Sequence, residues 1–269
     1  MPHFLTTADR SFVHLFFLDG VGLGGPDPAE NPFAAARLPN LAGLLGGAWY
    51  LDGRERLVGP RASLVPTDAT LGLPGRPQSA TGQATILTGR NVPALVGEHY
   101  GPKPNGAVAD VIRAGTLFSE VMAAGGRAAL ITPYPDGYFA AVDSGKRLLS
   151  AVPLAATAAG LPLMNVADLR AGRAVSPDFT ALGWREHLGY DDVPVLSPEE
   201  AGRRIFAIAA SYDFSFFEHW PTDQIGHRGG LDEAVAHLEH IDAVLGGLLS
   251  AWDDARGLLI ITSDHGNLE

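Results

Sequence analysis

The chain of 269 residues carries a formal net charge of −11 and is 46% hydrophobic and 18% charged. That balance belongs to a folded globular protein and is far too apolar for a disordered acidic tail. The acidic excess excludes nucleic acid as the main partner, because a phosphate backbone demands a basic footprint. The absence of cysteine removes disulfides, thiolate metal sites and a thiol nucleophile.

Read in chain order, apolar runs of strand length alternate with helical patterns. Phe12–Leu18 (FVHLFFL) is the first strand, ending in Asp19 and the glycine-rich turn Gly20–Gly25. It sits where a signal-peptide core would, yet it is short, contains His14, follows Asp9–Arg10 and lacks a small-residue cleavage site, so a buried strand is expected. A helix is predicted over Phe33–Leu45. The stretch Leu73–Arg90 (LPGRPQSATGQATILTGR) reads as a loop running into a short helix from Ala80 to Leu87, and Thr116–Ala124 reads as a further helix. Arg127–Thr132 is a second strand.

Between about 140 and 197 the pattern loosens. Ala151–Gly160 is Ala-rich, and Leu161–Pro194 is punctuated by Pro and Gly, which predicts a cap-like insertion beside the core. Then follow a helix over Pro198–Ser211, a strand over Asp213–Glu218, the segment PTDQIGH with Asp223 and His227, an amphipathic helix over Leu231–Trp252, and a strand over Gly257–Thr262 leading into ITSDHGN. This alternation predicts a single α/β domain, a three-layer sandwich with a mostly parallel central sheet and one small insertion. No run approaches the roughly 18 apolar residues that cross a bilayer, so no membrane partner and a cytoplasmic location are expected.

Carboxylates and imidazoles cluster where strands end. Asp19 follows the first strand, Asp223 and His227 follow the third, and Asp264 and His265 follow the fourth. Ligands in open parallel sheets bind beyond the carboxyl ends of strands, so these segments are expected to converge on one crevice. Such donors without thiolates suit Mn²⁺, Zn²⁺ or Mg²⁺. Ser79 falls at the start of the short helix, where unpaired N–H groups and the helix dipole stabilise an anion. A serine there, beside bound cations, is a nucleophile for phosphorus. Each piece also has an ordinary reading: Asp19 as a turn residue, Ser79 as a helix cap. Their combination at matching places in the strand order carries the argument. Arg76, Arg90, Lys146 and Arg147 are the cations that would clamp a substrate phosphate; His237 and His240 look like a solvated helix face, and His219 like a hydrogen-bonded core histidine.

The stretches LFFLDGVGLG, NPFAAARLPNLAGLL, QSATGQATILTGR, TDQIGHRGG and IITSDHGNLE resemble the alkaline phosphatase superfamily, in particular the metalloenzyme branch that holds cofactor-independent phosphoglycerate mutase and phosphopentomutase. The resemblance implies an alkaline phosphatase-like fold and two divalent metal ions, Mn²⁺ or Zn²⁺. Asp19, Ser79, Asp264 and His265 would hold one ion, with Ser79 also phosphorylated, and Asp223 and His227 would hold the other. The family completes that second site with a histidine downstream of DHGN, so the sequence is expected to continue past Glu269. The mutase pattern around the nucleophile is close to Asn-Ser-Glu-Val-Gly-His, against Gln78-Ser79-Ala80-Thr81-Gly82-Gln83 here, which leaves Thr81 as a second candidate. The function expected is phosphoryl transfer on a small phosphate ester through a phosphoserine. Phosphatase or phosphodiesterase hydrolysis comes first, with a 2,3-bisphosphoglycerate-independent phosphomutase and an inactive metal-binding protein as the alternatives.

Overall fold

A computed structural model describes residues 11–47 and 56–269. Residues 1–10, with Asp9–Arg10, and residues 48–55 lie outside the described part. The central sheet has four strands in the spatial order Ala128–Leu130, Phe214–His219, Phe12–Leu18, Gly257–Thr262, and every neighbouring pair is parallel. The predicted strands at Phe12–Leu18 and Gly257–Thr262 are found with those bounds, and the other two lie within a few residues of theirs.

Successive strand residues point to opposite faces, and both faces of the sheet are covered along Ala128–Leu130, Phe214–His219 and Phe12–Leu18, whereas the edge strand Gly257–Thr262 leaves Leu258, Ile260 and Ile261 exposed. Phe16, Leu18, Ala129, Ile131 and Phe217 enter one core, under the helices Pro198–Ala209 and Leu231–Ala251. Leu15, Phe17, Ala128, Leu130, Phe214 and Phe216 enter the other, under Ser79–Thr88, Gly106–Arg113, Leu117–Ala123 and Ala151–Ala158. This two-faced burial explains why FVHLFFL is a near-continuous apolar run rather than an alternating one. The rings of Phe16 and Phe217, paired in register, lie 5.3 Å apart. Burying each such ring contributes roughly 1.5–3 kcal/mol. The chain is thus an α/β sandwich around a parallel sheet.

The single helix expected over Phe33–Leu45 is two, Pro32–Ala35 and Pro39–Leu45. Pro39 has no N–H for the helical ladder and forces Leu38 out of the helical region, to φ −119° and ψ 64°. Within the loosely patterned segment, Ala151, Val152, Ala155 and Ala156 are fully buried in the second core, and Val175 and Phe179 in the first. A separate small cluster of Val166, Leu169, Ala181, Trp184 and Val193 stands outside both layers. Among the described residues no helix is long and apolar enough to cross a membrane.

Register fixes the site. Leu18 lies opposite His219, and Phe17 opposite both Glu218 and Thr262, so the residues following these strands emerge side by side at one sheet edge.

Candidate metal centre

Asp19 is the first residue past its strand and continues the ladder, donating its N–H to the His219 carbonyl at 2.9 Å. Its own carbonyl accepts from Thr222 Oγ1 at 2.6 Å. Asp264 is fixed from the backbone: its Oδ1 accepts from the N–H of Gly20 at 3.3 Å and of His265 at 3.0 Å. The turn between Asp19 and the helix Pro221–Arg228 needs glycine at 20, where φ is +70° and a Cβ would lie 2.7 Å from Asp223 Oδ1. Gly82 meets a similar demand, since a Cβ there would sit 2.9 Å from the Asp264 Cβ.

Asp19, Asp264 and His265 each present one ligand atom, and these atoms lie within 4.8 Å of one another. His265 Nε2 is 3.8 Å from Asp19 Oδ1, 3.7 Å from Asp264 Oδ2 and 3.1 Å from Ser79 Oγ. His265 Nδ1 lies 3.2 Å from the Gly266 carbonyl; with the proton on Nδ1, the Nε2 lone pair faces the two carboxylates and the serine. Gln83 Nε2 donates to Asp19 Oδ2 and to Asp264 Oδ2, at 3.1 Å each.

Two acids so close are costly when ionised. Burial, and then the negative charges of Asp264, Asp223 and Glu218, push the Asp19 carboxyl far above the carboxylate range. Burial raises Asp264 as well. Asp19 Oδ1 is buried with no hydrogen-bond partner, an unmet acceptor aimed at the same space. A buried, unsatisfied carboxylate oxygen beside a second carboxylate and an imidazole fits a divalent cation, which supplies the missing positive charge.

The pair Asp223 and His227 adjoins this cluster through Gly20. His227 Nε2 is 3.4 Å from Asp223 Oδ2, and Asn267 Nδ2 donates to Asp223 Oδ1 at 3.0 Å. These two residues carry the donors that the family resemblance implied for a second ion. The structure thus brings Asp19, Ser79, Asp264 and His265 into one cluster and sets Asp223 and His227 beside it.

Residues 195–269 match the family model described as the metalloenzyme superfamily. The resemblance to the metalloenzyme branch read from the motifs is borne out over this part of the chain. The 2,3-bisphosphoglycerate-independent phosphoglycerate mutase of Ruegeria sp. is 41% identical over 81 residues, 30% of this chain and 16% of that protein. The mutase of the same name from Cereibacter sphaeroides is 38% identical over 81 residues, and that from Moorella thermoacetica 34% over 80, each again covering 16% of the relative. The matched stretch thus spans about a sixth of these mutases' length. The structure of the PH0037 protein from Pyrococcus horikoshii resembles the fold with a TM-score of 0.51 at 14% identity, covering 96% of this chain and 80% of that one.

Other expected residues lie differently. The Thr81 hydroxyl is engaged with the Gln78 and Tyr100 carbonyls and accepts the Tyr100 N–H, so it is tied to the loop while Ser79 faces His265. Arg76 is exposed in the loop before Ser79. Arg90 follows the C-terminal glycine of the Ser79–Thr88 helix, roughly 15 Å of helix from Ser79 at 1.5 Å per residue. Lys146 is exposed, and the Arg147 guanidinium lies 4.9 Å from the centre of the Tyr138 ring. Tyr138 stacks on Tyr134 at 4.4 Å, whose hydroxyl donates to buried Glu218 at 2.8 Å.

His237 and His240, expected to be solvated, are partly buried instead. His219 Nε2 and His237 Nε2 are 2.9 Å apart, His219 Nδ1 meets the Pro177 carbonyl at 2.6 Å, and the His219 and His237 rings stack at 5.1 Å. Sequence reasoning passed over Gln83, Asn267 and Thr222. The spacing of Gln83 four residues after Ser79, on the same helix face, was the signal available.

Proposed function

We propose that this protein is a metal-dependent phosphoryl-transfer enzyme acting on a small phosphate ester, with Ser79 as the nucleophile and water as the final acceptor. The observation that carries the reading is the meeting of Ser79 Oγ with the Asp19–Asp264–His265 cluster. Asp19, Asp264, His265 and Ser79 would hold one divalent ion, Mn²⁺ or Zn²⁺, and Asp223 and His227 part of a second. Such ions favour the serine alkoxide and screen the phosphoryl charge when bound.

The residues themselves do the rest. Ser79 is the first residue of a ten-residue helix; the Thr81 N–H goes to the Tyr100 carbonyl and the Gly82 N–H to the Gln78 carbonyl, which leaves the N–H groups of Ser79 and Ala80 for phosphoryl oxygens. Forming the Ser79 Oγ–P bond breaks the ester P–O bond, and the serine proton balances the alcohol that leaves. Water then attacks the phosphoserine, releasing phosphate and restoring the hydroxyl. Arg76, on the loop that leads into Ser79, and Lys146 and Arg147 are the cations proposed for the substrate.

A second reading, transfer of the phosphoryl group back to a retained substrate, is supported by the names of the mutases similar to the C-terminal segment. A panel of aryl phosphates, phosphodiesters, phosphoglycerates and pentose phosphates, assayed with Mn²⁺ or Zn²⁺, separates the two. Phosphate release that disappears in Ser79→Ala supports hydrolysis. Isomerisation without release replaces it with the mutase, and inactivity on the whole panel with metal bound favours a binding protein.

A further inference from the structure

Two buried carboxylates must be held at a fixed separation before any ion arrives, and the backbone accomplishes this for only one of them. Asp264 Oδ1 takes the N–H groups of Gly20 and His265, whereas the carboxylate of Asp19 receives a hydrogen bond from the side chain of Gln83. Resting on the metal-centre reading above, we infer that Gln83 is the positioning residue of this site, a neutral clamp that sets the spacing and rotation of the Asp19 and Asp264 ligands.

Several features converge on this role. Gln83 is 4% exposed, and its single amide nitrogen reaches both acids at 3.1 Å. A carboxamide nitrogen carries two N–H donors and no charge, so one can serve each acid without adding a positive charge that would compete with a divalent cation. A lysine or arginine at the same place would neutralise the pair and compete with the ion; an apolar side chain would leave the carboxylates free to rotate. By engaging Oδ2 of Asp19, the amide leaves Oδ1, the buried oxygen without a partner, directed at His265 Nε2.

The clamp also ties the ligands to the nucleophile. Gln83 lies four residues after Ser79 in one helix, so the two side chains leave the same face one turn apart. Gly82, between them in sequence, lets this helix approach Asp264 closely. One rigid element therefore sets both the serine and the separation of the acids, and outer hydrogen bonds of this kind typically change metal affinity 10- to 100-fold when removed.

Gln83→Met keeps the side-chain length and removes the donors, while Gln83→Asn keeps the amide and withdraws it by one methylene. Mn²⁺ titration by calorimetry is expected to show a dissociation constant raised about 10- to 100-fold in both variants. The visible absorption spectrum of the Co²⁺-loaded variants changes in band position or intensity, while circular dichroism of the metal-free proteins matches wild type. Unchanged or tighter Mn²⁺ binding with an unaltered Co²⁺ spectrum, in whichever variant folds, overturns the role of Gln83 and leaves the metal centre standing. Failure of the wild-type protein to bind either ion overturns the metal centre and the clamp together.

Discussion

The Asp19–Asp264 pair and the His219–His237–His240 stack are both crowded groups of one chemical type, and they resolve crowding in opposite ways. An imidazole can shed its charge near neutral pH, and it carries both a donor and an acceptor. The histidines therefore satisfy one another: His219 joins Pro177 and His237, and burial holds His219 well below the usual range and His237 down to about 4. A carboxylate has no donor when ionised, so two of them ease their crowding only by keeping a proton, as Asp19 does, or by taking a cation. Asp19 is left with an unmet oxygen. Crowded bases make a core, whereas crowded acids make a demand for a cation.

The sharpest way to break this contrast is to remove one acid. Asp19→Asn is expected to weaken Mn²⁺ binding at least a thousandfold, about 4 kcal/mol, and at the same time to raise the melting temperature of the metal-free protein by removing a buried acid that must hold its proton where the unfolded chain would release it. Calorimetric titration and thermal unfolding in chelator read the two effects. A variant that loses affinity and also loses stability would mean that Asp19 is a structural residue first.

Titration of the metal-free protein separates the regions by sign. Folded His237 takes a proton at about pH 4 and an unfolded histidine near 6.5. Between these values the unfolded chain holds more protons, so the stability of this region is complete above pH 6.5 and falls as pH drops, by about 3 kcal/mol at most. His219 acts in the same direction, so His237→Leu should flatten that slope without abolishing it. Glu218 runs the other way. Burial raises its folded pKa from 4.5 to about 7, the folded state holds more protons across that window, and stability falls as pH rises through it, by a comparable amount. Glu218→Gln removes this second slope. Urea unfolding at stepped pH measures both, and slopes of the same sign would end the comparison. The smallest effect belongs to Arg90→Ala, at the far end of the helix from Ser79: turnover of an aryl phosphate should stay within about twofold, and a tenfold fall would bring that cation back into the substrate site.

The framework of the site was legible because strand ends announce themselves. Apolar runs such as FVHLFFL and GLLIIT end in Asp19 and in Asp264–His265, and a parallel sheet carries such ends to one edge. What escaped depended on contacts across the chain. Nothing local marks Gln83 as meeting Asp264, 181 positions later, or Asn267 as meeting Asp223. The histidine stack was misread for a related reason: His237 and His240 look polar on their own helix, and their burial comes from Phe179 and His219, which other segments deliver. The break before Pro39, by contrast, was written locally and was masked by the helical spacing of its apolar neighbours.

The order of the sheet has a consequence for the protein's birth. Gly20 and Asp264, which hydrogen-bond at the centre, are 244 residues apart, and the Gly257–Thr262 strand that brings them together pairs only with the first strand among the described sheet members. A contact of such range is closed late. Until that strand docks, Asp19 has neither Asp264 nor His265 beside it. A chain without that strand would lack Asp264 and His265 beside Asp19 and Gln83, so the charge cluster exists only once the two distant segments have paired.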